Sequence, residues 1–482
     1  MQTSSKNDIE VQEKVLLNVL EELTEEQEEL LKSSLRKRDW RILPITMLLY
    51  ICALMDRSNI GSALVNGLVD GLKLSPVQEG NVTSMFYVFY ILFETPSNIL
   101  LKRFSPHLWF AFIGSSWSIC CILLGIVKRG SIFVIIRSIM GAFEAGFTPG
   151  MIGYLGYWYT RKEVGTRMTI FFTALPIAGV IGAPLAGLFA SIKIPGLLPF
   201  QNIFILEGAI TLAICIASFF IILDYPDKAT FFTPEEYELT VTRIRVDQGM
   251  ASKSKISLKR TLAPFKDWKM WVFCLIFLGY VNVYIVIGIF SPTLIKSFGY
   301  TSIQATYLAI IPNATGLVGV ILVLRFLNKV KYSYMILAYS LITIFGYSVA
   351  VFYRNRISSL VFLGIAGFGT MANVSLSLTW MSVNQGGIYK GLIVSAFVIS
   401  VGNIAGVASP RTFTKNFAPN YILGNILCVG LIVLSSVCVA ILSIFFIRTN
   451  HKRDTKPVDV SHLSEEEQRD MNDFHPNFRY IP

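Results

Sequence analysis

The sequence predicts an all-α integral membrane protein with twelve transmembrane helices in two six-helix bundles. Hydrophobic residues make up 53% of the 482-residue chain and charged residues only 15%, whereas soluble domains carry about 25% charged residues. The apolar residues are concentrated in segments of membrane-spanning length. A polar, basic stretch between the sixth and seventh segments divides them into two equal sets.

Each apolar segment is about 20 residues long, which is the length that an α-helix needs to cross a bilayer. In chain order the segments cover 42–66, 80–101, 108–127, 131–152, 169–190, 203–223, 270–291, 302–324, 333–352, 358–380, 391–411 and 421–447. The predicted organisation is an N-terminal tail (1–41), an N-terminal bundle (42–223), a central linker (224–269), a C-terminal bundle (270–447) and a C-terminal tail (448–482).

The distribution of basic residues predicts the orientation. The formal net charge is +11, but no zinc-ligand spacing or RNA-binding motif accompanies it, so we expect no nucleic-acid partner. Positive charge instead accumulates in the tails and the linker, as it does in cytosolic segments of membrane proteins. We therefore expect both termini in the cytosol. For the membrane of residence we expect the plasma membrane, with the endoplasmic reticulum and vacuolar membranes as alternatives.

One acid-base pair lies inside the first apolar segment. In the sequence LYICALMDRSNIGSA (49–63), Asp56 and Arg57 stand between two apolar runs, which places them near the middle of the bilayer. An ionised side chain there costs at least about 2.5–3.5 kcal/mol on insertion scales. The default interpretation of such residues is a substrate or ion site that faces the interior of the protein.

Four more ionisable residues lie in spans: Glu94, Arg137, Glu144 and Glu207. We expect Glu207, early in its span, near the membrane interface. The other three and the pair in the first span sum to −1 when all are ionised, so one proton makes the set neutral. That balance suits a proton-coupled carrier, because a moving site should not expose a bare charge to lipid.

Arg137 and Glu144 are seven residues apart on one helix face, about 10 Å along the axis at the 1.5 Å rise of an α-helix. This separation excludes a direct ion pair, so each is expected to find a partner on another helix. We expect structural or gating roles for Arg137 and Glu94, although for Arg137 a functional role is equally open. For Glu144 we favour a functional role.

Three long stretches carry a resemblance to a known family. They are LMDRSNIGSA, FYVFYILFETPSNILLKRFSPHLW and RSIMGAFEAGFTPGMIGYLGYWYTRKEVGTR, in this order along the chain. They resemble the anion:cation symporter family of the major facilitator superfamily, and within it the fungal allantoate permease-like branch that includes nicotinate, pantothenate and biotin permeases. The resemblance extends over 40–447. It implies two bundles that rock about a central site and so alternate its access.

The resemblance also implies residue roles. It assigns the substrate carboxylate to Arg57 and proton coupling to Asp56 and Glu144, and it makes Asn403 a substrate contact from the C-terminal half. Arg57 suits its role because a guanidinium offers a planar fork to a carboxylate.

Further substrate-binding candidates in the C-terminal half are Tyr284, Trp380 and Asn384, whose rings and amide can stack on or hydrogen-bond to a ligand. The alternative for each is helix packing, which is the commoner role of such residues in spans.

The function that these observations predict is proton-coupled symport of a small organic anion. A monocarboxylate vitamin or nitrogen source such as nicotinate, allantoate or pantothenate is the expected substrate, and the carrier is expected to act as a monomer in the lipid bilayer. The alternatives are a nutrient sensor that does not transport and an organellar carrier of organic anions. We expect no enzyme, no metal and no cofactor besides the coupling proton, because no nucleophile-base set, metal-ligand spacing or phosphate loop occurs. The seven cysteines all lie in apolar segments and are expected to pack there.

Overall fold

The computed structural model describes residues 25–101, 104–252, 263–326, 329–353, 355–385, 388–455, 471–476 and 478–482. These residues form helices and short connections, and no strand occurs among them. The predicted all-helical membrane fold is therefore confirmed.

Within the described ranges, eleven helices are long and apolar enough to cross a membrane. A further helix of 26 residues, Pro76–Leu101, has the length of a span but carries two glutamates, and it completes the twelve. We label them in chain order as α1 Glu25–Gly71, α2 Pro76–Leu101, α3 Pro106–Ile126, α4 Gly130–Trp158, α5 Thr166–Ser191, α6 Pro199–Ile221, α7 Trp268–Ser297, α8 Ser302–Phe326, α9 Tyr332–Phe352, α10 Arg356–Val383, α11 Ile388–Ala408 and α12 Ile422–Thr455.

The helices pack as two bundles of six. In the first, α3 packs on α6, α2 on α4 and α1 on α5, while in the second α10 packs on α8 and α9, and α7 on α11 and α12. The bundles meet where α1 crosses α7, α2 lies against α11 and α5 lies against α8. The last two pairs are equivalent when the second six helices are matched to the first six. This pseudo-symmetric contact is the arrangement on which rocking between two halves depends.

The linker between the bundles contains one more helix, Pro234–Ser252, which packs on the first turns of α1. The buried Glu236 of this helix accepts from Lys37 Nζ at 2.8 Å and from Ser33 Oγ at 2.8 Å. The linker is therefore fastened to the N-terminal bundle, and α1 already begins at Glu25, inside the predicted N-terminal tail.

The contacts between the bundles concentrate at one end. We call the end where α1 begins the tail end, because the C-terminal residues also lie there, and the end where α1 finishes at Gly71 the far end. In the far half, Asn66 Nδ2 donates to Thr306 Oγ1 at 2.8 Å and Ser84 Oγ donates to the carbonyl of Val407 at 2.7 Å. An ion pair between Lys415 and Asp70, at 2.6 Å, adds to them. These contacts close the molecule at its far end.

Gly61 lies at the tightest part of this closure. A Cβ at this position would stand 1.6 Å from the carbonyl oxygen of Ile289 on α7. Small residues at helix crossings allow such close backbone approach in membranes. The far end can therefore close only because residue 61 has no side chain.

We predict that Gly61→Val keeps the far end open. A cysteine introduced at Ser62, which is buried in the closed state, should react faster with a water-soluble thiol reagent in the Gly61→Val protein than in the parent. Gly430→Val is the matched control, because a Cβ at Gly430 meets no atom within 4 Å. Equal labelling rates in the Gly61→Val and parent proteins would show that the crossing tolerates a side chain.

The C-terminal residues form a second feature that the sequence reasoning did not foresee. Asp473, only 1% exposed, pairs with Lys269 at 2.8 Å and with Lys390 at 2.6 Å. The ring of Tyr480 stacks on Phe446 of α12, with centroids 4.4 Å apart and planes 3° from parallel. The tail thus joins the ends of α7, α11 and α12 at one buried cluster of charges, which we call the tail cluster.

We predict that Asp473→Asn destabilises the protein. Burial opposes ionisation of Asp473, but Lys269 and Lys390 outweigh it and hold its pKa below the ordinary value. The cost should be about 1.5–3 kcal/mol, the value of a hydrogen bond to a charged group. Because the folded pKa is lowered, this stability is present above the ordinary aspartate pKa and is lost as the pH falls through the folded pKa.

Thermal unfolding in detergent as a function of pH measures this effect. The difference in Tm between the wild type and Asp473→Asn should shrink on acidification. Asp454→Asn is the control, because Asp454 is 61% exposed and pairs with Arg479 in solvent. If both variants melt alike, the tail cluster contributes nothing to stability.

Candidate substrate and proton site

The neighbouring residues Asp56 and Arg57 send their side chains to different sides of α1. Asp56 is fully buried in the N-terminal bundle, where its carboxylate accepts from Trp117 Nε1 at 3.2 Å and from Cys121 Sγ at 3.6 Å. The Arg57 side chain keeps 16% of its surface exposed. Successive helical residues lie about 100° apart around the axis, so the two charges of the pair serve different environments.

Arg57 forms an ion pair with Glu144 of α4. Both Arg57 Nη2, at 2.5 Å, and Arg57 Nε, at 2.9 Å, donate to the same oxygen, Glu144 Oε1. Among the described residues, the buried Oε2 of Glu144 has no hydrogen-bond partner, and Arg57 Nη1 is not engaged by Glu144. The expectation that Glu144 finds its partner on another helix is met. The pair therefore leaves one guanidinium edge available to a second anion.

A break in α4 follows Glu144. The helix Gly130–Glu144 ends there, and a new helix starts at Phe147. Small residues make this local change compatible with close packing: a Cβ at Gly146 would stand 1.7 Å from Ser97 Oγ of α2. The break thus places Glu144 at the end of a helix segment, opposite α1.

Aromatic rings surround the Arg57 guanidinium. Its centre lies 4.8 Å from the ring of Tyr90 and 5.6 Å from the ring of Phe86, both on α2. Tyr284 of α7, half-buried, lies within electrostatic range of Arg57 and of Tyr87. Residues of both bundles therefore lie near the Arg57 side chain. Such rings attract a guanidinium and can also stack on a planar ligand.

Arg137 fixes the backbone that carries the pair. It is fully buried, and its guanidinium donates to the main-chain carbonyl of Asp56 at 3.1 Å and to that of Arg57 at 2.8 Å. Its partners are therefore carbonyl groups, whereas the sequence reasoning considered only ionised side chains. Contacts of this kind suit a positioning residue.

Glu94 and Asn403 lie where α2 meets α11. Ser400 Oγ donates to Glu94 Oε2 at 3.3 Å and so joins the two bundles. Asn403 is half-buried and lies one turn from Ser400, on a helix whose Ser400 and Val407 both contact α2. These two sequence candidates therefore share one interface between the bundles.

Trp380 and Asn384 lie at the tail end of α10, where they hold the C-terminal residues. Trp380 Nε1 donates to the carbonyl of Ile481 at 2.8 Å. Asn384 forms two hydrogen bonds with the same residue, donating to its carbonyl at 3.0 Å and accepting from its amide at 2.8 Å. Trp380 and Asn384 are 0% and 2% exposed. We therefore leave both out of the site around Arg57.

The structure corrects one further expectation. Glu207 was expected near the membrane interface, but it is only 3% exposed inside the N-terminal bundle. The sequence reasoning also missed Phe86, Tyr87 and Tyr90. The sequence could have indicated them through the run FYVFY (86–90), in which aromatic residues recur one helical turn apart.

No metal centre is assigned. Within the described ranges, no three His, Cys, Asp or Glu side chains lie close enough together to hold a metal ion. The charged side chains at the site can exchange ionic partners on Arg57 and can bind protons on their carboxylates.

Two helical bundles that close at one end around a buried arginine-glutamate pair define a membrane carrier. The chain matches the family model of the Major Facilitator Superfamily over residues 46–410 and belongs to that superfamily. It is accordingly a multi-pass membrane transporter of this type.

Relatives at the sequence level are also transporters. The chain is 28% identical to an uncharacterized transporter of Schizosaccharomyces pombe, covering 93% of this chain and 90% of the relative. It is 27% identical to a putative tartrate transporter of Agrobacterium vitis, covering 89% of this chain and 98% of the relative. It is 28% identical to the major facilitator-type transporter hxnP of Emericella nidulans, covering 84% of each chain.

Solved structures share the fold at low sequence identity. The xylose transporter XylE from E. coli, in a partially occluded inward open conformation, matches with a TM-score of 0.64 at 14% identity, over 83% of this chain and 97% of XylE. A bacterial homologue of the human lysosomal transporter Spinster matches with a TM-score of 0.62 at 16% identity, over 83% of this chain and 95% of the homologue.

Proposed function

We propose that the protein is a proton-coupled symporter of a small organic anion. The observation that carries this proposal is the ion pair between Arg57 and Glu144, which is buried on the glutamate side and partly exposed on the arginine side. A carboxylate ligand that approaches the exposed edge of Arg57 meets a guanidinium already engaged by Glu144.

Competition for Arg57 supplies the coupling. When Glu144 is ionised, it holds the Nε and Nη2 donors of Arg57 and offsets the positive charge of the guanidinium, so a substrate carboxylate at the remaining edge binds weakly. A proton on Glu144 removes its negative charge and releases these donors. The substrate anion then replaces Glu144 as the partner of Arg57, and the site keeps the same net charge. Anion and proton therefore load together.

The closed far end supports a direction of access. Positive charge in the tails and linker supports a cytosolic tail end, so the described conformation is closed toward the outside. Import follows when the bundles part at the far end, load the site and close again. A proton that travels with a monoanion cancels the membrane-potential penalty of about 2.3 kcal/mol per charge per 100 mV.

The substrate class is a small carboxylate with a planar group. Tyr90 presents its ring face to Arg57, Tyr284 of the second bundle lies near enough to Arg57 to interact with its charge, and Asn403 of α11 offers a donor and an acceptor. Two putative tartrate transporters among the relatives carry a carboxylate substrate in their names, which supports an organic anion. We place the chain in the anion:cation symporter family, near the allantoate permeases. Nicotinate, allantoate and pantothenate are the first candidates.

Uptake of a labelled panel of small carboxylates tests the proposal. Cells that express the wild type or Arg57→Ala are compared in mildly acidic and mildly alkaline medium, with surface expression measured in parallel. A compound taken up faster in acid, and only by the wild type, establishes anion symport and its substrate. Equal uptake of a labelled anion at both pH values would show that transport is not coupled to protons. Specific binding without uptake at the cell surface favours a nutrient sensor, and intracellular residence favours an organellar carrier.

A further inference from the structure

Glu207 of α6 is a buried acid that forms no ion pair with any described residue. Only 3% of its surface is exposed, and neither carboxylate oxygen has a hydrogen-bond partner among the described residues. The titratable groups that face it are Asp56 and Cys52 of α1 and Cys121 of α3. None of them is a cation. An ionised carboxylate in such a place carries a penalty of several kcal/mol, of the order expected for an unpaired buried ion.

Asn59 of α1 supplies the partner that a protonated Glu207 needs. It lines the same cavity as Glu207, its Nδ2 points to Cys121 Sγ at 3.6 Å, and its Oδ1 is a buried acceptor without a donor among the described residues. A carboxylate can only accept, so an ionised Glu207 can take a hydrogen bond from the Asn59 amide group but cannot satisfy Asn59 Oδ1. One proton makes Glu207 a donor and satisfies both groups.

The cavity beside Glu207 lies between the two bundles. Its volume is about 20 Å³, which is room for a single water molecule at roughly 10–15 Å³ or more of such space. The first bundle contributes Asn59, Ser62 and Glu207 to it, and the second contributes Pro292 and Asn313. The residues from α5, α7 and α8 that line the cavity are uncharged.

This position makes access to Glu207 depend on the transport cycle. Glu207 is eight residues from the far-end start of α6 at Pro199, and Ser62 precedes the far-end contacts of α1. Separation of the bundles at the far end therefore opens the cavity to water from that side. In the described conformation, the bundles are in contact at the far end, and the cavity is closed from that side.

Asp56 is the second acid of this region. It forms no ion pair among the described residues, and it accepts from Trp117 and, weakly, from Cys121, with the Thr211 hydroxyl of α6 also within hydrogen-bonding range. Cys121 Sγ also contacts the carbonyl of Phe204, one turn before Glu207. The buried cation Arg137 bonds to the main-chain carbonyl of Asp56 and, among the described residues, forms an ion pair with neither carboxylate. Two buried carboxylates in one region oppose each other's ionisation.

We propose that Glu207 and Asp56 together form a second proton-binding site, on the side of α1 away from Arg57, which exchanges its proton with the far side when the bundles part. This proposal rests on the proposed function. It adds a second proton-binding carboxylate site to the one formed by Glu144. The proton is held as Glu207 Oε–H donating to Asn59 Oδ1, or on Asp56 when Glu207 is ionised.

Infrared difference spectroscopy of the purified protein tests proton binding without a substrate. Titration with pH should give a carbonyl band of a protonated carboxyl group that disappears in Glu207→Gln and shifts in Asp56→Asn. Glu235→Gln, which removes an exposed acid of the linker helix, should leave this band unchanged. Identical difference spectra for the wild type and Glu207→Gln would overturn the proposal, whether or not the protein transports anions. Glutamine preserves the shape of the side chain, so the variant is expected to fold.

Transport separates a coupling role from mere proton binding. With any substrate identified, Glu207→Gln should retain exchange of internal for external substrate and lose at least tenfold, which is about 1.4 kcal/mol, in accumulation driven by a proton gradient. Its accumulation should also lose the wild-type dependence on external pH. Wild-type accumulation in Glu207→Gln would overturn the coupling role even if the infrared band is present. Failure of anion uptake in the wild type would count against the proposed function and leave the infrared result to decide the proton site.

Discussion

Arg57→Ala is expected to abolish substrate binding and uptake. The variant removes the guanidinium that offers its free edge to the substrate carboxylate, and it leaves Glu144 buried without its ion-pair partner. Loss of one partner of a buried charge pair costs on the order of 3–5 kcal/mol. That is a cost in folding stability. In the complex the substrate carboxylate also loses its charged partner, which costs about 2–5 kcal/mol, so affinity should fall at least about tenfold, since each 1.4 kcal/mol is a factor of ten. Radiolabelled substrate binding to purified protein measures the change.

Two variants separate the loss of recognition from misfolding. Arg57→Ala combined with Glu144→Gln removes both charges, so it should restore thermal stability without restoring binding. Arg57→Lys keeps the charge but not the planar fork and should recover only part of the affinity. Arg325→Ala, at an exposed arginine of α8, should behave as wild type. Normal uptake by Arg57→Ala would show that Arg57 does not bind the substrate.

Glu144→Gln is expected to uncouple transport from the proton gradient. The neutral amide no longer competes with the substrate for Arg57, so binding should become independent of pH across the range in which the wild type responds. Exchange of substrate across the membrane should continue, because it requires no net proton movement. Accumulation against a gradient should fall to the level of equilibration.

Proteoliposomes with an imposed pH gradient measure both activities. Glu238→Gln, at an exposed position of the linker helix, is the control and should accumulate substrate normally. Full proton-driven accumulation by Glu144→Gln would remove its coupling role. Loss of exchange as well as accumulation would instead indicate that Glu144 holds the fold or the substrate.

The two proposed proton sites divide the charges around α1. Glu144 faces the partly exposed Arg57, and its protonation is linked to the substrate by competition. Asp56 and Glu207 lie on the other side of α1, and the exposure of Glu207 is linked to the far-end closure. The helix that carries the acid-base pair therefore has a different role on each side. Gly61 on the same helix sets how closely α7 approaches.

The sequence alone determined the fold class, and it predicted that the site lies near the middle of the membrane. Hydropathy and charge are local properties, and the length of an apolar segment is set by the bilayer, so the spans and the central linker could be read directly. The cost of a charge in lipid singled out Asp56, Arg57 and Glu144 for the same reason. The spacing of Arg137 and Glu144 further excluded a bond between them.

Only the tertiary structure decided which partners these residues have. Helix periodicity fixes the face of a residue but not the neighbour across the gap, so the sequence could not show that Glu144 takes Arg57 while Arg137 takes main-chain carbonyls. Nor could it show that Trp380 and Asn384 form hydrogen bonds with Ile481 near the C-terminus. Contacts between residues distant in the chain depend on how helices cross and rotate, and those are properties of the packed molecule.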